Sequence, residues 1–170
     1  MLTNRMKRLK RSILVVTLVL GILTSLVFAA PATTRKPVPF KGQSSGLVTT
    51  VGFDPVALIA YTHAEGAGQA THIGNFTASG YVAINFIPGT VLGTWTLTAA
   101  NGDMLFLTME GGGIDPTHGV GNFTIVGGTG RFQGATGSYH QEITFAAPGG
   151  SAQVIAYTEV FEGIISLELP

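Results

Sequence analysis

The chain has 170 residues, no cysteine, and nine basic residues that balance nine acidic ones. That length suits one domain, and the lack of cysteine excludes a disulfide scaffold, thiol catalysis, cysteine-ligated metal and a lipoprotein anchor. The charge is unevenly spread: beyond Lys41 the only Lys or Arg is Arg131, too little to neutralise several phosphates, so nucleic acid is excluded as a partner.

The first thirty residues read as a signal peptide rather than as part of the fold. Arg5, Lys7, Arg8, Lys10 and Arg11 precede the apolar run "ILVVTLVLGILTSLVFAA", which ends in small residues. A basic start, an apolar run and a small-residue exit are the parts of a secretory signal, with cleavage expected after Ala29 or Ala32. The apolar run is short for a membrane span of about 20 residues, so no stable span is expected after cleavage. Without the signal the chain keeps four basic against nine acidic residues, a net charge of −5. The signal is of bacterial style, and an exported bacterial protein, secreted or held in the periplasm or cell envelope, is the expectation.

Residues 31–46, "PATTRKPVPFKGQSSG", are rich in Pro, Ser and Thr and read as a linker ending in a short first strand near 38–41. The domain proper is expected over 47–170. The best helical candidate there, "PVALIAYTHAEG", holds Val56, Ile59, Tyr61 and Thr62, which favour a strand. Further strands are expected over 68–79 and 81–87. "TVLGTWTLTA" and "DMLFLTME" then flank Asn101-Gly102, the strongest short hairpin signal, in a turn type that needs positive φ at both residues. Strands follow over 121–126, 135–146 and 152–167, with "APGGS" as the turn between the last two. About eight strands at short intervals predict an all-β protein, an eight-stranded antiparallel barrel that closes on itself and so removes its edges. "THIGNFT" recurs as "THGVGNFT"; duplication and convergence on one local strand solution both account for it.

The stretch "IVGGTGRFQGATGSY" carries Gly127, Gly128, Gly130, Gly134 and Gly137 around Arg131. Its G-x-G-x-x-x-G spacing is one residue too long for a dinucleotide fingerprint, and it lacks the Gly-Lys-Ser/Thr of a P-loop. The residues after it form strands rather than the helix whose N-terminal amides would hold phosphate. A structural corner fits better, with Phe132 plugging one end of the core. Together with the late "FEGI", the motif "VGGTGRFQGATG" resembles the allene oxide cyclase and dirigent-type barrels. It is closer still to exported bacterial members without settled activity, which share "ATHIGNFT" and "TLTAANGD". The resemblance covers about 68–164. It implies an eight-stranded antiparallel barrel with a small-molecule cavity, cofactor-free cyclisation or guidance of radical coupling in the plant members, and frequent trimers. No plant catalytic residue aligns with a matching motif here.

Chemistry is therefore sought residue by residue. The histidines His63, His72, His118 and His140 lack metal-ligand spacing, and no metal site is expected. His140 and Glu142 share one strand face, while Tyr139, Gln141 and Ile143 share the other; Tyr157, Glu159 and Phe161 fall on one face of the last strand. Wherever these faces meet the interior, a carboxyl lies among aromatics, and burial makes it a usable acid or base. Glu142 and Glu159 are the acid/base candidates, and Arg131, His140, Tyr157 and Phe161 the ligand-binding ones. Arg131 either anchors a ligand carboxylate or pins a loop. The first expected function is a barrel that binds a small apolar or amphipathic molecule. The rivals are a cofactor-free cyclase or isomerase and a passive envelope or matrix protein.

Overall fold

A computed structural model describes residues 35–146 and 153–167. The expected signal segment, its cleavage sites and the "APGGS" turn lie outside the described residues. Eight strands follow one another: β1 (Pro37–Asp54), β2 (Ile59–Ala70), β3 (Gly74–Asn85), β4 (Thr90–Ala99), β5 (Met104–Asp115), β6 (His118–Gly128), β7 (Thr136–Phe145) and β8 (Val154–Ser166). Each pairs antiparallel with the next, and β1 pairs with β8, so the meander closes into a barrel. One short 3-10 helix, Gly130–Phe132, interrupts the β6–β7 connection. An eight-stranded barrel is just wide enough for its side chains to fill it or to admit one small ligand.

Alternation decides which side chains enter. The inward set includes Phe40 and Ser44 on β1, Ala64 on β2, Phe76 and Ala78 on β3, Trp95 and Leu97 on β4, Leu105 and Leu107 on β5, Phe123 on β6, Tyr139 and Gln141 on β7, and Tyr157 and Phe161 on β8, all buried. The aromatic members form one cluster. The Tyr139 ring lies 4.7 Å from that of Phe123 and 4.8 Å from that of Phe161, and the Phe40 ring lies 5.5 Å from Phe161. Each such pair adds about 0.5–1.5 kcal/mol beyond area burial.

Small residues and large ones occupy opposite walls. Gly42, Ser44 and Gly46 on β1, Ala60, Thr62, Ala64, Gly66, Gly68 and Ala70 on β2, and Ala78 and Gly80 on β3 alternate at every second position, the period that puts them on one face. Aromatic side chains press on this wall, Trp95 with its fused ring atoms and Phe161 and Tyr157 with their tips. A Cβ at Gly80 would come within 2.6 Å of the Trp95 indole, and a Cβ at Gly42 or Gly66 would collide with Phe161 or the Tyr157 hydroxyl.

The strand starts differ from the sequence reading in three places. β1 begins at Pro37, where a short first strand near 38–41 was expected, and runs on unbroken to Asp54. Its ladder with β2 starts only at Gly42, so the missing N–H groups of Pro37 and Pro39 break no pairing there. The chain reverses at 71–73 rather than near Gly80; His72 at φ 65° and Gly74 at φ 77° take the left-handed conformations, whereas Gly80 sits mid-strand beneath Trp95. The β4–β5 turn has four residues, and of Asn101 and Gly102 only Gly102 has positive φ, at 88°. The Ala99 and Gly102 amides bond to Asp103 and Ala99 carbonyls at 2.8 and 2.9 Å, which closes the turn without a positive φ at Asn101. The repeated Gly-Asn-Phe-Thr opens β3 at 74–77 and lies within β6 at 121–124, two strands that run in opposite directions. In both copies the Phe (Phe76, Phe123) points inward and the Asn and Thr outward.

The two barrel ends are unlike. At one, the glycine-rich corner folds over the opening. Phe132 is fully buried with Leu105, Ala135 and Ile165 in the core. Gly130 and Gly134 have φ of 54° and 66°, and Gly127 has 150°, values that favour glycine. The Thr129 amide donates to the Met104 carbonyl at 2.8 Å, and Arg35 donates to the Gly134 carbonyl. At the other end the turns begin with Asp54, Asn85 and Asp115, whose carboxylates or amide oxygen accept from amides two or three residues on, as Asx turns do. The Thr117 amide and His118 pull Asp115 down to about 2. Here Val48, Ile84, Val91, Met109, Ile143 and Phe145 point inward yet are only half-buried. Solvent therefore touches these side chains at this end, while Ala64, Leu107, Phe123 and Tyr157 beneath them are buried.

Candidate functional site

The polar groups inside the barrel gather on β1, β7 and β8. Ser44 pairs in register with Glu159, and Ile143 of β7 pairs with it from the other side. Both Ser44 and Glu159 point inward because Phe40 on β1 and Phe161 on β8, an even number of residues away, are core residues. The Ser44 hydroxyl donates to Glu159 Oε1 at 2.5 Å, and the buried Gln141 side chain also bonds to this carboxyl. Glu159 Oε2 and Trp95 Nε1 have no partner among the described residues, and the Tyr157 hydroxyl interacts with the Ser44 side chain.

Burial sets the protonation chemistry. Loss of water pushes the Glu159 carboxyl above the ordinary glutamate range, against the pull of the Ser44 and Gln141 hydrogen bonds. Tyr157 is pushed up to about 12, first by burial and then by the nearby Glu159 charge. Tyr139, wholly enclosed, moves upward for the same two reasons. The Tyr157 hydroxyl therefore holds its proton at neutral pH and acts as a donor. A carboxyl raised above its ordinary range holds its proton to higher pH and is the better proton donor for it.

The sequence candidates separate into three groups. Glu159, Tyr157 and Phe161 face the interior. His140 and Glu142 stand on the outer wall, since Tyr139 and Gln141 take the inward positions of β7. His140 Nδ1 lies 3.0 Å from Asn122 Oδ1, and Glu142 lines a shallow outer groove of about 630 Å³ with Gln43, Gln69, Asn75 and Thr158. That groove offers amides and hydroxyls without any aromatic surface. Arg131 is at the closed end: it donates to the Ile73 carbonyl at 2.8 Å, lies 3.8 Å from Asp103 and covers the Phe132 ring at 4.7 Å. It pins turns and does not reach the interior. Glu110 also faces outward. Among the described residues no three His, Cys, Asp or Glu side chains come together as a ligand set. Sequence reasoning missed Ser44, Gln141 and Trp95. The signal for Ser44 and Gln141 was parity with the apolar positions of their own strands.

Glu159 gives a direct test. Its folded pKa is raised, so the protonated carboxyl contributes stability below the unfolded value of about 4.3, and that contribution is lost as pH rises through the folded value. Glu159→Gln keeps a neutral side chain of the same shape. Wild type is expected to lose stability against Glu159→Gln as pH rises from about 4, with the gap levelling once the carboxyl is ionised. Urea denaturation of both proteins from pH 4 to 8 reads this, and a gap independent of pH would place Glu159 in water.

No family model matches the chain, and no curated protein matches it. Solved structures do. The pterocarpan synthase dirigent protein GePTS1 aligns with a TM-score of 0.56 at 14% identity, over 80% of this chain and 88% of its own. The pterocarpan synthase dirigent protein PsPTS1 aligns at 0.53, again at 14% identity, over 79% of this chain and 97% of its own. The fold is thus the dirigent-type barrel that the sequence motifs resembled.

Proposed function

We propose that the barrel interior binds one small apolar or amphipathic molecule, entering through the end ringed by the turns that follow Asp54, Asn85 and Asp115. The observation that carries this reading is the half-burial of inward-facing Val48, Ile84, Val91, Met109, Ile143 and Phe145. These side chains form an apolar ring that meets solvent and packs on the aromatic core below it. Concave, mostly apolar sites with a few convergent polar groups are where small ligands bind, and the likeness to dirigent-type barrels supports the same reading. Glu159 gives this chamber a group able to move a proton, so a cofactor-free isomerase would rest on Glu159 alone, without Glu142 or Arg131. Export, suggested by the N-terminal sequence, is part of the proposal.

Native mass spectrometry and thermal shift with long-chain alcohols and bicyclic aromatics test it. One ligand per chain is expected, with stabilisation of about 2.7 kcal/mol at a hundredfold excess over Kd. No complex with any of them would contradict the reading.

We also propose self-association through the outer wall of β1–β4. Leu47, Tyr61, Tyr81 and Leu92 are exposed there, at 45–63% of their full areas, and the allene oxide cyclase and dirigent resemblance adds frequent trimers. Sedimentation should give more than the 17.6 kDa of one chain, and Tyr81→Asp should return it to the monomer. A wild-type monomer at all concentrations would contradict this.

A further inference from the structure

We infer that the barrel docks on the surface of a zwitterionic lipid bilayer through the turns flanking Asp54, Asn85 and Asp115, with Val56, Ile87 and Ile114 inserted among the acyl chains. This does not rest on the binding reading above. The three side chains stand at three separate turns and are 90%, 72% and 68% exposed. Phe53, Leu58 and Phe86 stand beside them and are exposed as well. The turns adjoin one another. The Phe53 and Phe86 rings are 6.4 Å apart, the Phe86 amide donates to the Leu58 carbonyl at 3.0 Å, and a Cβ at Gly112 would lie 3.4 Å from the Gly89 carbonyl oxygen. Together they form one apolar crown. Among the described residues, the turns of the closed end carry no exposed large apolar side chain; Thr71, His72, Asn101, Arg131 and Gln133 face water there.

The crown suits surroundings that offer no hydrogen bonds. Lipid satisfies no backbone amide, so a segment that enters it must bond its own. Pro55, Pro88 and Pro116, one in each turn, have no amide hydrogen. The Val56 and Ala57 amides donate to Asp54 at 2.9 and 3.0 Å, the Ile87 amide to Asn85 at 3.1 Å and the Thr117 amide to Asp115 at 2.7 Å. Turns ordinarily hold Gly, Asn, Asp or Ser at such places. Leu58 nevertheless keeps a leucine at φ 53°, where glycine or asparagine fits with less strain. Apolar points raised on separate turns fit a fluid surface that closes around each one, whereas a second copy would meet them tip to tip.

Charge selects the headgroup. Among the described residues the four Lys and Arg side chains lie toward the closed end. Arg35 and Arg131 bond the Gly134 and Ile73 carbonyls, Lys36 precedes Pro37 at the start of β1, and Lys41 pairs with Glu162 at 2.9 Å. The charges beside the crown are Asp54 and Asp115, with His118 at 2.9 Å from Asp115. Anionic lipid attracts Lys and Arg and repels carboxylates, so a zwitterionic surface is the better match. The wall between the two ends turns Gln43, Glu65, Gln69, Glu142 and Glu162 outward, whereas a barrel that spans lipid faces it with an apolar band. The barrel therefore lies on the bilayer, its tips about 5–10 Å deep, as interfacial segments lie.

The chain has no cysteine, so a single introduced cysteine takes a single label. Val56→Cys, Ile87→Cys, Ile114→Cys and, at the closed end, Asn101→Cys are each labelled with nitrobenzoxadiazole in the full chain and mixed with phosphatidylcholine vesicles. Emission is expected to move to shorter wavelength at 56, 87 and 114 and to stay unchanged at 101. Lipids that carry a nitroxide in the acyl chain should quench the first three labels only. Val56→Asp combined with Ile87→Asp should remove most of the shift at 114, and phosphatidylglycerol vesicles should give a smaller shift than phosphatidylcholine. No shift at the three tips, or an equal shift at 101, would overturn the inference; this site-by-site readout holds even where the N-terminal segment itself adheres to lipid. A shift that grows with protein concentration in the absence of vesicles would mean that a second copy covers the crown, and would overturn it too. A larger shift with phosphatidylglycerol would overturn the choice of a zwitterionic surface. If the double variant does not fold, nitroxide quenching in the single-cysteine chains decides: tips that are not quenched overturn the inference.

Discussion

Phe132→Ala is expected to lower stability by about 3–5 kcal/mol, the range for removing a buried phenylalanine. That is a large part of the 5–15 kcal/mol typical of a domain. Phe132 is completely buried, and the segment that carries it is held from several sides. Arg131 bonds to the Ile73 carbonyl, Thr129 bonds to Met104, and the Gln133 and Ala135 amides bond to the Gly130 and Phe132 carbonyls. The corner cannot collapse inward to fill the space, so the cavity persists. Guanidinium denaturation should show the midpoint fall with little change of slope. A loss under about 1 kcal/mol would mean that the corner is a surface loop and that another group closes this end.

Gly80→Ala is the second large effect, and it comes from adding one methyl group. Its Cβ would lie within 2.6 Å of the Trp95 indole and leave the ring no room on the β3 wall. Displacing Trp95 pushes it against Phe123, whose ring is 6.0 Å away. Overpacking of this kind is destabilising by about 1–3 kcal/mol. Because Trp95 is the sole tryptophan, its emission should move to longer wavelength in the same variant. Unchanged stability and emission would show that the ring does not lie on Gly80.

The strand count, the closed meander and the corner with its Phe132 plug were legible because each leaves a local mark. Alternation marks strands, and glycine clusters mark positive φ and close approach. Strand boundaries were harder. Gly80 looks like a break in sequence, but it is absent of side chain for the sake of Trp95, fifteen residues away. The true reversal at 71–73 contains a histidine at φ 65°, a conformation that composition does not announce. Asn101-Gly102 marked a turn correctly but not its length, since Asp103 extends it by hydrogen bonds to Asn101.

The candidate site was half legible. Within β8 the parity of Tyr157, Glu159 and Phe161 was plain, and all three face inward. Glu142 and His140 fell on the other side because the apolar positions of β7 are Tyr139, Ile143 and Phe145. A charged residue one position out of phase with them is carried to solvent. The wall of small residues on β1, β2 and β3 is written in the sequence as Gly, Ser, Ala and Thr at every second position. Its meaning lies in which rings cover it, and that depends on pairing between strands far apart in the chain.

The most direct test of the account is a carbon-13 NMR titration of the Glu159 carboxyl, assigned through Glu159→Gln. A closed barrel with Glu159 turned inward beside Ser44 and Gln141 predicts a midpoint above the ordinary glutamate value of about 4.3, moving further upward when a neutral ligand fills the chamber. A midpoint at or below that value, unmoved by any apolar ligand, would mean that the carboxyl faces water and that the barrel holds no such chamber.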